Sequence, residues 1–347
     1  MNPPNAQLRF TDARDGDPVT AETELVADEV PRAPGLCVQR VRLETAEGVF
    51  EGRLLRPATR SAASLRLLDN EILAGLRLHR RVGSLAGAEV AGLIGYDVAG
   101  TEPFALVEPC RGMPCGTEAG RLLPHDLRRF QASLVAGVRM LEAAGIAHRA
   151  LGPETVRWDG DRVQITDLSR SALVGEPRVA GGPPPWRAPE QHPEQVDGHV
   201  TDRDDLWAVG RLVLFMATGE EPDISGASSA SLAHPFPPGL ARLLDGVFGP
   251  PDRRPTVADM VCRVGATDPV PYGLEPNPAL VQGRREFYEV RGLKPVDVGD
   301  APDEPGHSDR ATGRPSFPVL SRPSSHWLWI AASAIALLVL TVLLIKG

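Results

Sequence analysis

The side chains that could do chemistry fall into five short blocks. They are His148-Arg149-Ala150-Leu151-Gly152-Pro153-Glu154-Thr155, Asp167-Leu168-Ser169, Gly182-Pro183-Pro184-Pro185-Trp186-Arg187-Ala188-Pro189-Glu190, Asp205-Leu206-Trp207-Ala208-Val209-Gly210 and Asp252-Arg253-Arg254-Pro255-Thr256. Upstream stand Arg53 in GRLLRP and Glu71 in NEILAGL. Taken singly, each charged residue reads equally well as a solvated charge, a core residue or a turn residue, as Asp167 does. The residue types also exclude chemistry. Of the 37 Lys and Arg residues only Lys294 and Lys346 are lysine, so no lysine precedes position 294 and 35 arginines carry the positive charge. A planar guanidinium does not replace a compact ammonium where a site needs one. Cys110 and Cys115 are separated by four residues and have no histidine cluster, which argues against a zinc site, and Cys37 and Cys262 are isolated.

In order and spacing the blocks resemble the eukaryotic-type (Hanks-type) protein kinases. HRALGPET is similar to the catalytic loop H-R-D-L-K-P-E-N, Asp167-Leu168-Ser169 to D-F-G, and GPPPWRAPE to G-T-x-x-Y-x-A-P-E. DLWAVG resembles D-V-W-S-L-G, and DRRPT the late D-P-x-x-R-P-T element. One such block is a weak signal, whereas five in register are specific. The resemblance covers roughly residues 20–264 and is looser before Leu67. It implies an α+β, two-lobed kinase-like fold with a small β-rich lobe on a larger helical one. It also implies structural roles: Glu190 paired with Arg254, Asp205 bonded to catalytic-loop amides, and His148 and Leu168 in the hydrophobic spine. Arg149 would pair with a phosphorylated activation segment, although residues 170–187 offer only Ser171 as acceptor. The helix member of the spine is Gly75, which leaves three readings open: Leu76 fills the gap, the spine is broken, or the register of that helix is off by one.

The departures fall on the reaction. The family's loop aspartate, which accepts the substrate's proton, is Ala150; its loop lysine is Gly152; its second metal ligand is Thr155. The ordering threonine is Pro183. Arg53 stands at the phosphate-gripping lysine, where it could still pair with Glu71. The phosphate loop is replaced by VPRAPGL, whose prolines lack amide donors. Asp167 remains at the main magnesium position. Arg53, Glu71 and Asp167 are thus a residual site for weak binding of ATP with Mg2+ or Mn2+. These losses predict a pseudokinase, because positioning and charge stabilisation are nearly all a kinase supplies. An unorthodox active Ser/Thr kinase with Glu154 or Asp159 as base is the alternative, and a structural protein that binds no ligand is a third.

These blocks must be held by recognisable elements. CVQRVRLET and GVFEGRLLRP flank the turn Ala46-Glu47-Gly48 as strands; 67–81 has helical spacing; VAGLIGYDV and PFALVEP read as strands. Helices are expected over 125–145, 204–218, 238–248 and 255–264. The division is a flexible 1–20, an N-lobe and hinge over 21–112, a C-lobe over 113–264, and a Pro/Gly/Ser-rich juxtamembrane linker over 265–326 that is disordered from about 295. The 19 uncharged residues Trp327–Ile345 would span about 28 Å as a helix, the thickness of a bilayer core. With no signal-peptide pattern at the start, the expectation is a single-pass membrane protein whose kinase-like domain is cytoplasmic. A net charge of −8 argues against nucleic-acid partners. An unidentified cytosolic protein is expected instead, a kinase or a phosphopeptide-binding protein, the latter suggested by linker serines such as Ser308, Ser316 and Ser324.

Overall fold

In a computed structural model, the structure describes residues 6–29, 35–83, 89–221, 239–271, 273–274 and 277–293. Met1–Pro295 is one compact unit; Val296–Gly347 is a second, and the expected apolar span 327–345 and the linker serines lie outside the described residues. Among the described residues no helix is long and apolar enough to cross a membrane.

Six strands open the fold: β1 (Ala6–Asp12), β2 (Pro18–Glu29), β3 (Leu36–Thr45), β4 (Gly48–Pro57), β5 (Leu93–Asp97) and β6 (Phe104–Val107). They close into a barrel in the order β1-β2-β3-β4-β6-β5. Where a flexible 1–20 is expected, strand structure begins at Ala6; residues 1–5 lie outside the described residues. β1 pairs with β2 from Ala6 to Thr11 and with β5 at Thr11 and Asp12. Its apolar residues alternate, so Leu8 and Phe10 point inward between polar neighbours. Phe10 fills the barrel with Val41, Leu43, Leu54, Phe104 and Leu106. Gly95 makes room for it, since a Cβ there would lie 2.3 Å from the Phe10 ring.

The alternation of β4 sends Leu54 into the barrel and Leu55 to the opposite face, where helix α1 (Ala62–Val82) packs. Arg53 shares that face by parity. Ser61 caps α1 by accepting from the Ser64 amide. The buried stripe of α1 runs through Ser64, Leu68, Glu71, Ile72, Gly75, Leu78 and Val82, which places an ionisable group among apolar ones. Gly75 is filled by neither Leu76 nor a void: a Cβ there would lie 2.5 Å from Leu93 Cβ, so β5 occupies the space.

The second lobe is mainly helical: α2 (Pro124–Ala143), α3 (Leu206–Thr218), α4 (Ala241–Leu244) and α5 (Val257–Val264). Between α2 and α3 run the short strands β8 (Ile146–Ala147), β9 (Val156–Trp158), β10 (Val163–Ile165) and β11 (Ala172–Leu173), while β7 (Met113–Pro114) pairs with β9. The helix expected over 238–248 contracts to the single turn of α4. The stretch assigned to linker from 265 is also corrected. Val270 joins the lobe core, and helix α6 (Pro278–Leu293) lies against the segment after β11. Arg284 donates to the Val174 carbonyl, and a Cβ at Gly175 would meet the Val281 carbonyl at 2.8 Å. The Pro/Gly content around 271–278 hid this helix.

Candidate functional site

The loop between β8 and β9 carries residues 148–155. The carboxylate of Asp205, just before α3, accepts from the amides of His148 at 2.6 Å and Arg149 at 2.7 Å. This bond pair holds Arg149 at φ 62°, a left-handed backbone that a non-glycine residue adopts only when its surroundings over-determine it. His148 is fully buried; its Nδ1 accepts from the Ala150 amide, which leaves Nε2–H to donate to the Thr166 carbonyl at 3.1 Å. Both ring nitrogens are satisfied, so His148 ties the loop to Thr166. Arg254 Nη1 and Nη2 donate to Glu190 at 2.6 and 2.8 Å, a two-pronged pair with the Arg254 side chain 1% exposed.

At the reaction positions the geometry is closed. Ala150 is buried and offers only a methyl group. Thr155 Oγ1 donates to the Ala150 carbonyl at 3.0 Å and accepts from the Gly152 amide at 3.1 Å, so it ties its own loop. A side chain at Gly152 would start 3.4 Å from the Trp186 ring and 3.9 Å from Pro183. Trp186 is buried, edge-on to Phe215 at 5.3 Å, and closes this side of the loop. The two alternative bases have different surroundings. Asp159 accepts from the amides of Asp161 and Arg162 at 2.9 and 2.7 Å as a turn residue, and Glu154 is exposed.

The nucleotide-side residues are arranged differently from the sequence expectation. Arg53 does not hydrogen-bond Glu71. Its Nε donates to Glu29 Oε2 at 2.8 Å, with the Arg53 side chain 6% exposed. A carboxylate at the end of β2 therefore takes the cation that would otherwise meet phosphate. The guanidinium has donors on several sides, so its Nε can reach a carboxylate that an ammonium at the same position would not meet in the same way. Burial alone would lower the Arg53 pKa; Cys110, Glu29 and Glu71 outweigh it and leave it raised. Glu71 is fully buried, and one of its oxygens has no partner. Burial pushes its carboxyl up and the charge of Asp167 adds to that, while Arg53 and the amides of Leu168 and Ser169 oppose, for a net value of about 8. The surroundings of Glu71 thus favour its protonated, uncharged form. Asp167 sits at φ 64° and accepts from Ser169 Oγ at 2.5 Å, so one carboxylate oxygen is already engaged. Among the described residues no group of three or more His, Cys, Asp or Glu side chains could hold a metal ion. Arg53 is engaged by Glu29 and one oxygen of Asp167 by Ser169.

No family model matches the chain. It is 29% identical over 206 residues to the "Probable serine/threonine-protein kinase PkwA" of Thermomonospora curvata, a match covering 53% of this chain and 26% of that protein. It is 30% identical over 206 residues to the "DNA damage-responsive serine/threonine-protein kinase RqkA" of Deinococcus radiodurans, covering 54% and 29%. It is 29% identical over 154 residues to the "Inactive serine/threonine-protein kinase PLK5" of Mus musculus, covering 43% and 24%. The chain is protein kinase-like. Each match spans under a third of the relative's length, so these relatives extend well beyond the kinase-like region they share. Within the kinase-like domain, three residues escape sequence reasoning: Glu29, Ser169 and Trp186. The one legible signal was Ser169, a hydroxyl in place of the glycine of D-F-G; the partners of Glu29 and Trp186 are long-range.

Proposed function

We propose that this kinase-like domain does not transfer phosphate and serves as a membrane-anchored binding module that regulates or scaffolds a protein partner in bacterial signalling. Ala150 carries the reading: the position of the proton acceptor holds a buried methyl group, and Asp159, an alternative base, is taken up by the amides of its own turn. The commitments of Thr155 to its own loop and of Arg53 to Glu29 support the same reading from the metal and phosphate sides. The name of the mouse relative supplies a precedent for the family resemblance without the activity. Anchoring rests on the apolar run 327–345, with the kinase-like domain on the cytoplasmic face.

The competing reading is an active Ser/Thr kinase, favoured by the names of the bacterial relatives. Incubating the full chain with Mg-ATP and a protein acceptor separates the two: the proposal expects no phosphate transfer, and transfer that disappears in Asp167→Ala would contradict it. Titrating the chain with ATP, with and without Mg2+ or Mn2+, and following its melting temperature separates a nucleotide-binding module from a purely structural one, because a ligand of the native state raises the midpoint with its concentration. Resistance of the chain to carbonate extraction from membranes tests the anchor, and a pulldown from membranes with and without residues 265–326 tests the partner.

A further inference from the structure

Helix α6 presents two stripes. One faces the domain: Arg284 donates to the Val174 carbonyl, Val281 meets Gly175, and Val281, Arg284 and Tyr288 are half-buried. The other lies roughly 100° further around the helix and consists of Leu280, Gly283, Phe287 and Val290. Leu280, Phe287 and Val290 are 63%, 59% and 57% exposed, and a Cβ added at Gly283 would meet nothing within 4 Å. Large apolar side chains standing on one stripe, rather than scattered singly, mark an interaction face. Their spacing of three, four and three residues is the a-d-a-d repeat of a helix-to-helix seam.

The flanking charges choose the occupant. With Leu280 as a, Arg284 and Arg291 stand at e positions and Glu286 at a g position. Glu286 and Arg291 are both exposed. In a parallel pair each g residue faces the other helix's e residue five positions on, so Glu286 of each copy meets Arg291 of the other, twice by symmetry. An antiparallel pair sets g against g and e against e. Glu286 would then face its own twin, and Arg284 would face Arg291. An anionic lipid surface fits less well, because Glu286 and Glu289 offset two of the three arginines of α6 and leave the helix a net charge of +1.

We propose that this stripe is a homodimer seam, with two copies of the chain pairing their α6 helices in parallel. Leu280, Phe287 and Val290 pack across the axis, and Glu286–Arg291 bridges flank it on both sides. Gly283 leaves the first d position underfilled, and the seam is only two heptads long, so the pair is weak and reversible. The helix lies beyond the kinase-like blocks, and the inference depends neither on phosphate transfer nor on the membrane span.

The test is oxidative crosslinking of the detergent-solubilised full chain carrying Gly283→Cys. The parent chain controls for the native cysteines, and Gln282→Cys, which points away from the seam by helical phase, controls for chance collision. We expect a reductant-sensitive dimer, joined at position 283 of both copies by mass spectrometry, in Gly283→Cys alone. In that background Phe287→Glu should lower the yield about tenfold, because it puts a charge on the seam. Glu286→Arg should lower it too, and adding Arg291→Glu should restore it. These side chains are exposed, so the fold tolerates the changes, and thermal midpoints equal to the parent's check this. Several results would overturn the proposal. They are crosslinking no greater than in Gln282→Cys, a yield unmoved by Phe287→Glu, and no recovery on the double charge swap. Loss of the crosslink when phosphatidylserine is added to the micelles would place the face on lipid and overturn it as well.

Discussion

Glu71 shows how one buried side chain controls the behaviour of its surroundings. Its carboxyl is raised from the ordinary glutamate value of 4.5 to about 8. The folded state therefore holds the proton more tightly than the unfolded chain, and the associated stability is complete below pH 4.5 and lost as pH rises toward 8. The slope is about 1.4 kcal/mol per pH unit within that window. Glu71→Gln should flatten this dependence, matching the parent near pH 5 and exceeding it near pH 8, as read from urea midpoints at both values. Glu142, raised to about 7 mainly by burial, adds a slope of the same sign that the Gln variant keeps. The Glu190–Arg254 pair is the opposite case, charged and mutually satisfied. Glu190→Ala should cost about 3–5 kcal/mol, because it strands a buried guanidinium, measured as a fall in unfolding free energy. The pair was legible from the motifs that frame it. The Arg53–Glu29 pair was not, because no motif ties position 29 to position 53.

The barrel is where element-level reading fell short. β1 is a seven-residue strand with only Leu8 and Phe10 as inward apolar residues, so period-2 alternation is too brief to stand out from a polar terminus. What makes it a strand is tertiary: Phe10 plugs the barrel and its backbone pairs on both sides. Phe10→Ala should therefore destabilise the domain by about 3–5 kcal/mol, the usual cost of emptying a buried aromatic site, read as a lowered thermal midpoint. Gly95→Ala should also destabilise, since its Cβ would strike both the Phe10 ring and the Thr11 carbonyl. Helix α1 was legible from residue 67 onward, because its apolar stripe has helical period; its first turn was not, because Ser61 and Ser64 cap it with polar groups. Helix α6 escaped for a related reason: its exposed residues Leu280, Phe287 and Val290 stand among charged neighbours, and Gly283 interrupts their stripe.

At the scale of the whole molecule, the motif residues present are those to which the resemblance gives structural roles, and the departures fall where it expects a proton acceptor and a phosphate grip. Asp205, His148, Glu190 and Arg254 make contacts within the second lobe that hold the 148–155 loop and the segment ending at Glu190. Ala150, Gly152 and Thr155 face a loop closed by Trp186 or bonded to itself. The motif blocks made the first set readable because they are local in sequence. The closure of the loop was not readable, since Trp186 reaches Gly152 only after the segment folds back. The most direct test is phosphate transfer from radiolabelled Mg-ATP to a generic protein acceptor and to the full chain itself. The account predicts no label above that of the boiled protein, and none gained or lost in Asp167→Ala. Label that appears with the parent chain and vanishes in Asp167→Ala would contradict it.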